Sequence, residues 1–175
     1  LCPLTTFERK NIYHSGEPSA VDIQQRLEQY YLPYHDKISQ WIDETKEQYG
    51  LAVIYDAHSI KSVLPRFFEG TLAALNLGTA DGHSCHGELQ KLVANHLLES
   101  SYDSAINGRF KGGYITRHYG RPQDNVFSLQ MEIAQSSYLN EVDFSINDEK
   151  FASLQNSLKE LFDKIITWIK DYETL

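Results

Sequence analysis

Long hydrophobic runs are missing from this chain. No stretch approaches the roughly 20 apolar residues that cross a bilayer, and no signal-like leader opens it. Cysteine is scarce: Cys2 and Cys85 lie far apart and form no Cys-x-x-Cys, so neither a disulfide framework nor a redox motif is implied. Positive charge is short as well. Sixteen Lys and Arg face 24 Asp and Glu, and the net charge of −8 argues against nucleic acid or an anionic membrane surface as partner. Small anionic substrates stay open, because local Arg and Lys decide those. Neither GxGxxG nor GxxxxGK[ST] occurs, so no dinucleotide or P-loop phosphate site is indicated. A cytoplasmic location is the default. Tyrosine is plentiful, at eleven residues, which points to a wet, partly polar core or pocket. A length of 175 residues without linker or repeat suits a single domain over 1–175. The first residue is Leu1 rather than Met, which reads as a processed or truncated protein.

Along the chain, Ser15-Gly16-Glu17-Pro18 signals a helix start. Ile23, Leu27, Tyr30, Tyr34, Ile38, Trp41, Thr45 and Tyr49 then recur three or four apart, predicting one buried face of a long helix that Pro33 kinks or divides. Gly50 suits the position after its end. Leu51 to Ile60 reads as a strand buried on both faces and closing in Asp56 and His58. Leu75-Asn76-Leu77 is a short strand, and Ser84 caps a helix with Leu89, Leu92, Val93 and Leu97 inward. Tyr114 to Arg117 looks like a further strand and Gly120 to Asn125 a turn. From Val126 the pattern alternates, with Phe127, Leu129, Met131 and Ile133 on one face and Ser128, Gln130 and Glu132 on the other. Asn147 or Asp148 caps a last amphipathic helix. The whole reads as one α/β unit.

Residues with chemistry fall at strand ends and on a glycine-rich segment. Open α/β sheets present ligands beyond the carboxyl ends of their strands, which is where His58 stands. Asp56 is two residues away on the same face and suits the role of orienting an imidazole. Glu132 ends a strand whose polar face lacks a core role, and a carboxylate there is a candidate general base. Asn107, Arg109, Lys111, Arg117 and Arg121 lie among Gly108, Gly112, Gly113 and Gly120, a pattern that lets backbone and guanidinium approach an anion. His83-Ser84-Cys85-His86 is an alternative nucleophile or soft metal site, with solvated or capping histidines as the plainer reading. His14, His35 and His96 read as structural.

These stretches together resemble the N-formylglutamate amidohydrolase (deformylase) family. The likeness rests on Leu1-Cys2-Pro3 with Thr5-Thr6-Phe7, Asp56-Ala57-His58-Ser59, Leu77-Gly78-Thr79 with Ser84-Cys85, the run from Asn107 to Gly120, and Gln130-Met131-Glu132-Ile133-Ala134-Gln135. The resemblance implies a mixed β-sheet flanked by helices, like that of the zinc carboxypeptidases. It implies zinc as cofactor, with His58 as a ligand, Asp56 behind it and Glu132 as the base. Tyr114, Arg117, Asn107 and Arg109 would bind a small anionic amide substrate. The implied reaction releases formate from N-formyl-L-glutamate, a step of histidine breakdown. A related N-acyl or γ-glutamyl amidohydrolase, or a silent carboxylate-binding domain, are the alternatives. Family members also carry a Pro-His-Ser-Gly motif with further metal ligands and an Asp-Leu-Asn-Arg motif. Neither occurs in this chain, so the expectation is a missing N-terminal part, and His14 stands where the family pattern has arginine. An apolar patch left by that part would favour a homo-oligomer. The expectation for the chain alone is weak zinc binding and no deformylation.

Overall fold

The computed structural model describes residues 2–172, so Leu1 of the Leu1-Cys2-Pro3 motif lies outside the described residues. The chain forms two compact units, one up to Thr45 and one from Lys46. The first holds α1 (Ala20–Arg26) and most of α2 (Leu32–Tyr49), joined by a π-helical turn, Leu27–Tyr31. The helix starts later than the Gly16-Pro18 signal, because Ser19 caps it. The Ser19 hydroxyl accepts from Asp22 N and the Asp22 carboxylate accepts from Ser19 N, a reciprocal pair. Pro33 sits just past the π segment, whose wider winding relieves the clash of the proline ring with the preceding carbonyls.

That turn also corrects the expected helix face. A π turn takes up one extra residue, so part of the inward stripe advances by one position, while Ile38 and Thr45 stay inward as expected. Tyr31, His35, Ile38, Ile42 and Thr45 lie inward, with Ile42 buried, while Tyr30, Tyr34 and Trp41 are exposed.

The second unit is built on a four-stranded mixed sheet in the order β1-β4-β2-β3, comprising β1 (Ala52–Ile60), β2 (Leu75–Gly78), β3 (Ser104–Ile106) and β4 (Val126–Ala134). β1 runs parallel to β4, β4 antiparallel to β2, and β2 parallel to β3. Two sequence expectations exchange places here. The apolar run of β1 is an edge strand rather than one buried on both faces, and it continues through His58 to Ile60. The alternating strand β4 is central and buried almost throughout.

On one face, Leu75, Leu77, Phe127, Leu129 and Met131 meet α3 (Gly87–Glu99) through Leu89, Val93 and Leu97, and α5 (Asp148–Tyr172) through Leu154, Leu161 and Ile165. Each such side chain contributes about 1.5–3 kcal/mol by leaving water. The other face carries α4 (Tyr114–Tyr119). Tyr114 to Arg117 is therefore helical rather than a strand. Gly112, at φ +107°, turns the chain sharply before it, and Thr116 and Tyr119 are buried one turn apart. α3 is capped by His86 rather than Ser84. The Ser84 hydroxyl instead donates to Ser128 O at 2.7 Å. Asn147 Oδ1 accepts from Lys150 N at the start of α5, as its sequence predicts.

Candidate active site

Strand register assembles the site. His58 pairs with Glu132 and Asp56 with Gln130 across the parallel β1–β4 ladder, while Asn76 and Gly78 of β2 oppose Glu132 and Gln130 from the other side. Paired residues share a face, so Asp56, His58, Asn76, Gln130 and Glu132 occupy the sheet face opposite the α3–α5 core. Asp56 Oδ1 lies 2.9 Å from His58 Nε2. That contact fixes the ring and leaves Nδ1 for a ligand or a proton. The two side chains differ in exposure, 47% for His58 and 15% for Asp56, so the imidazole is reached from solvent at the sheet edge.

Glu132 is buried in the central strand. Burial pushes its carboxyl above the ordinary carboxylate value, the neighbouring His58 pulls it back, and the Asp56 charge pushes it up again. A carboxylate raised in this way is a better proton acceptor near neutrality. Asn76 Nδ2 donates to the Glu132 carbonyl at 3.0 Å and to Ala73 O at 2.8 Å, anchoring the strand behind the carboxylate. Asp56 Oδ2, Thr116 Oγ1 and Ser128 Oγ are buried without a hydrogen-bond partner among the described residues, a concentration of polar atoms on this side of the sheet.

The other sequence candidates are placed elsewhere. Asn107, at φ +49°, accepts from Thr79 N at 2.8 Å and Asp81 N at 3.3 Å and donates to Thr79 Oγ1 at 2.8 Å. Its side chain is committed to the Thr79 loop. Arg109 donates to Phe67 O. Arg117 donates to Gly112 O and lines a cleft of about 370 Å³ with Asp81, His83, Lys111 and Gly112. Lys111 pairs with Asp81 at 3.0 Å in the same cleft. Tyr114, half exposed, stacks on His118 with ring centres 4.7 Å apart. The structure thus gathers His58, Asp56 and Glu132, and sets Arg117 in a neighbouring basic cleft on α4.

Cys85 is buried, and burial pushes its thiol up to about 11, which opposes a nucleophilic role. His86 packs against Phe127, Trp168 and Tyr172 besides capping α3. Gln130, Asn76 and Ser128 belong to the site face although sequence reasoning does not single them out. The polar alternation of β4 carries the signal for Ser128 and Gln130, whereas Asn76 gives none, as its pairing is set by β2.

Zinc can be tested against the donors present. Among the described residues no group of three or more His, Cys, Asp or Glu is placed to hold a metal ion. A catalytic zinc normally takes three protein ligands, so the residues described do not fit that ion by themselves.

The second unit is thus a mixed α/β domain with helices on both faces of its sheet, carrying a buried glutamate beside an imidazole held by an aspartate. Residues 1–139 match the family model for N-formylglutamate amidohydrolase, and the chain belongs to that family. It is 39% identical over 171 residues to the N-formylglutamate deformylase of Pseudomonas putida, and 37% to that of Pseudomonas aeruginosa. Each alignment covers 96% of this chain and 64% of the relative, so the chain spans just under two thirds of their length. The crystal structure of N-formylglutamate amidohydrolase from Ralstonia eutropha JMP134 superposes with a TM-score of 0.79 at 30% identity, over 89% of this chain and 58% of that one. A gene product of Agrobacterium tumefaciens shares the fold at TM-score 0.71 and 18% identity, over 96% and 62% of the two chains.

Proposed function

We propose that this chain carries the general-base part of a site that hydrolyses the formyl amide of N-formyl-L-glutamate to formate and L-glutamate. The observation that carries the reading is Glu132, buried in the central strand and in register with the Asp56-held His58. The names of the relatives support the substrate. In this reading Glu132 takes a proton from water as oxygen bonds to the formyl carbon. It returns that proton to the nitrogen as the C–N bond breaks. His58 lies beside the reacting group, with Asp56 keeping its ring in one orientation. Arg117 takes a substrate carboxylate, with Tyr114 at the rim, Arg109 a weaker candidate, and Asn107 holding the Thr79 loop that walls the cleft.

Zinc and a carboxypeptidase-like sheet belong to the same reading through the family resemblance. The donors described supply His58 but not two companions. That shortfall is also what favours the second reading, a carboxylate-binding domain without turnover. Formate release from N-formyl-L-glutamate, measured on the purified chain and on its Glu132→Gln variant, separates the two. Turnover abolished by the substitution supports hydrolysis. Saturable binding of the substrate with no formate, unchanged by the substitution, supports the binding domain and overturns a catalytic Glu132 in this chain.

A further inference from the structure

The link between the basic cleft and the carboxylate runs through one buried amide side chain. Gln130 lies two residues before Glu132 on the same face of β4, and its Oε1 accepts from Gly113 N at 2.6 Å. Gly113 is the N-cap residue of α4 and provides no side-chain cap of its own. Amides at a helix start have no partner within the helix, so the Gln130 oxygen does from the sheet what a capping side chain would do locally. The chain around this contact is close-packed. A Cβ on Gly78 would overlap Gly112 N and Lys111 C, a Cβ on Gly113 would stand 3.1 Å from Gln130 Oε1, and Ala80 N donates to Lys111 O at 2.6 Å. Arg117 then closes the turn by donating from its side chain to Gly112 O and from its backbone to Gly113 O.

We propose that Gln130 is a positioning residue that fixes α4, and with it the Arg117 guanidinium, relative to Glu132. The inference deepens the deformylase reading and rests on it for the meaning of the Arg117–Glu132 spacing. A neutral amide suits this position, since it offers an acceptor oxygen to Gly113 without adding a second negative charge two residues from Glu132. The distance between substrate carboxylate and scissile amide is thereby set by a hydrogen bond buried under the helix, rather than by the exposed arginine itself.

The test uses nuclear magnetic resonance on the full chain with Gln130→Met, which keeps side-chain length but loses the acceptor, and Gln130→Glu, which keeps an acceptor oxygen. In the unsubstituted chain the Gly113 amide exchanges slowly although it begins a helix. In Gln130→Met its exchange accelerates at least about tenfold, the Leu129 and Met131 amides stay as they were, and the Arg117 Nε–H resonance moves. Gln130→Glu restores both signals. Affinity for N-formyl-L-glutamate falls about tenfold in Gln130→Met. Fast exchange at Gly113 in the unsubstituted chain overturns the proposal, as does a Gly113 amide or an Arg117 resonance indifferent to Gln130→Met. Should Gln130→Met not fold, unprotected Gly113 in Gln130→Glu overturns it equally. A chain that shows the exchange and Arg117 effects but never binds N-formyl-L-glutamate overturns the deformylase reading alone.

Discussion

Glu132 combines two demands that oppose each other, burial and charge. Its carboxyl titrates above the ordinary value in the folded chain because burial disfavours the anion. Between the unfolded and folded values the folded state holds more protons, so stability is highest below the unfolded value and declines as pH rises through the folded one. Glu132→Gln removes that penalty. In urea unfolding followed from acid to neutral pH, its midpoint should lie above that of the unsubstituted chain at neutral pH and converge toward it in acid. The same substitution should lower kcat for formate release by at least about a hundredfold wherever turnover is measurable, the usual scale for a general base. Near-normal turnover would sink the assignment. At Arg117 the expected signature is different. Arg117→Lys keeps the charge but loses the planar fork, so KM for N-formyl-L-glutamate should rise about tenfold with kcat little changed. An unchanged KM would place the substrate carboxylate elsewhere.

Among the elements, the loop between β2 and α3 holds the basic cleft open against a crowded backbone. Gly78 ends β2 where the Gly112 turn crosses it. Gly78→Ala puts a methyl group into main chain that cannot rotate away, and the cost should reach or exceed the roughly 1–3 kcal/mol typical of overpacking, read as a lowered urea midpoint. Asn107 stands at the other side of the same loop. Asn107→Ala deletes three hydrogen bonds and leaves alanine in a left-handed conformation, for an expected loss of about 2–4 kcal/mol. A side chain that serves only to touch substrate would instead show raised KM at unaltered stability. The two outcomes distinguish the loop-holding role from the substrate-binding one that the glycine-rich sequence pattern first suggests.

For the molecule as a whole the decisive quantity is the number of metal donors. Among the described residues, one imidazole with a neighbouring carboxylate leaves most of a zinc coordination sphere to water, and affinity falls accordingly. The purified chain, dialysed against zinc and washed, should retain well under one equivalent of zinc by elemental analysis. Stoichiometric zinc with turnover would mean that His83, His86 or His118 joins His58 after a rearrangement. The packing described makes that costly for His86, whose ring lies among Phe127, Trp168 and Tyr172. Since the chain spans 64% of the relatives it matches, an assay beside the Pseudomonas putida protein gives the reference turnover.

The sequence by itself determined the elements whose signals are local. Alternation marked β4, periodicity marked α3 and α5, Asn147 announced the start of the last helix, and the motifs around His58, Lys111 and Glu132 marked the family. His58 and Glu132 were legible as a pair for the same reason, since each follows from its own strand. Tertiary structure decided what depends on neighbours distant in sequence. β1 became an edge and β4 the centre through strand order, which no single strand encodes. The polar face of β4 became a buried site because α4 lies over it, and α4 was itself hidden in a β-branched stretch that only the Gly112 turn and the sheet beneath make helical. The π turn before Pro33 put Tyr31, His35 and Ile42 inward in place of Tyr30, Tyr34 and Trp41, a shift invisible to a count of spacings. Gln130 and Asn76 acquired their roles only where a side chain from one strand met backbone folded back from elsewhere. Hydrogen bonds of that kind are specified by geometry, not by spacing.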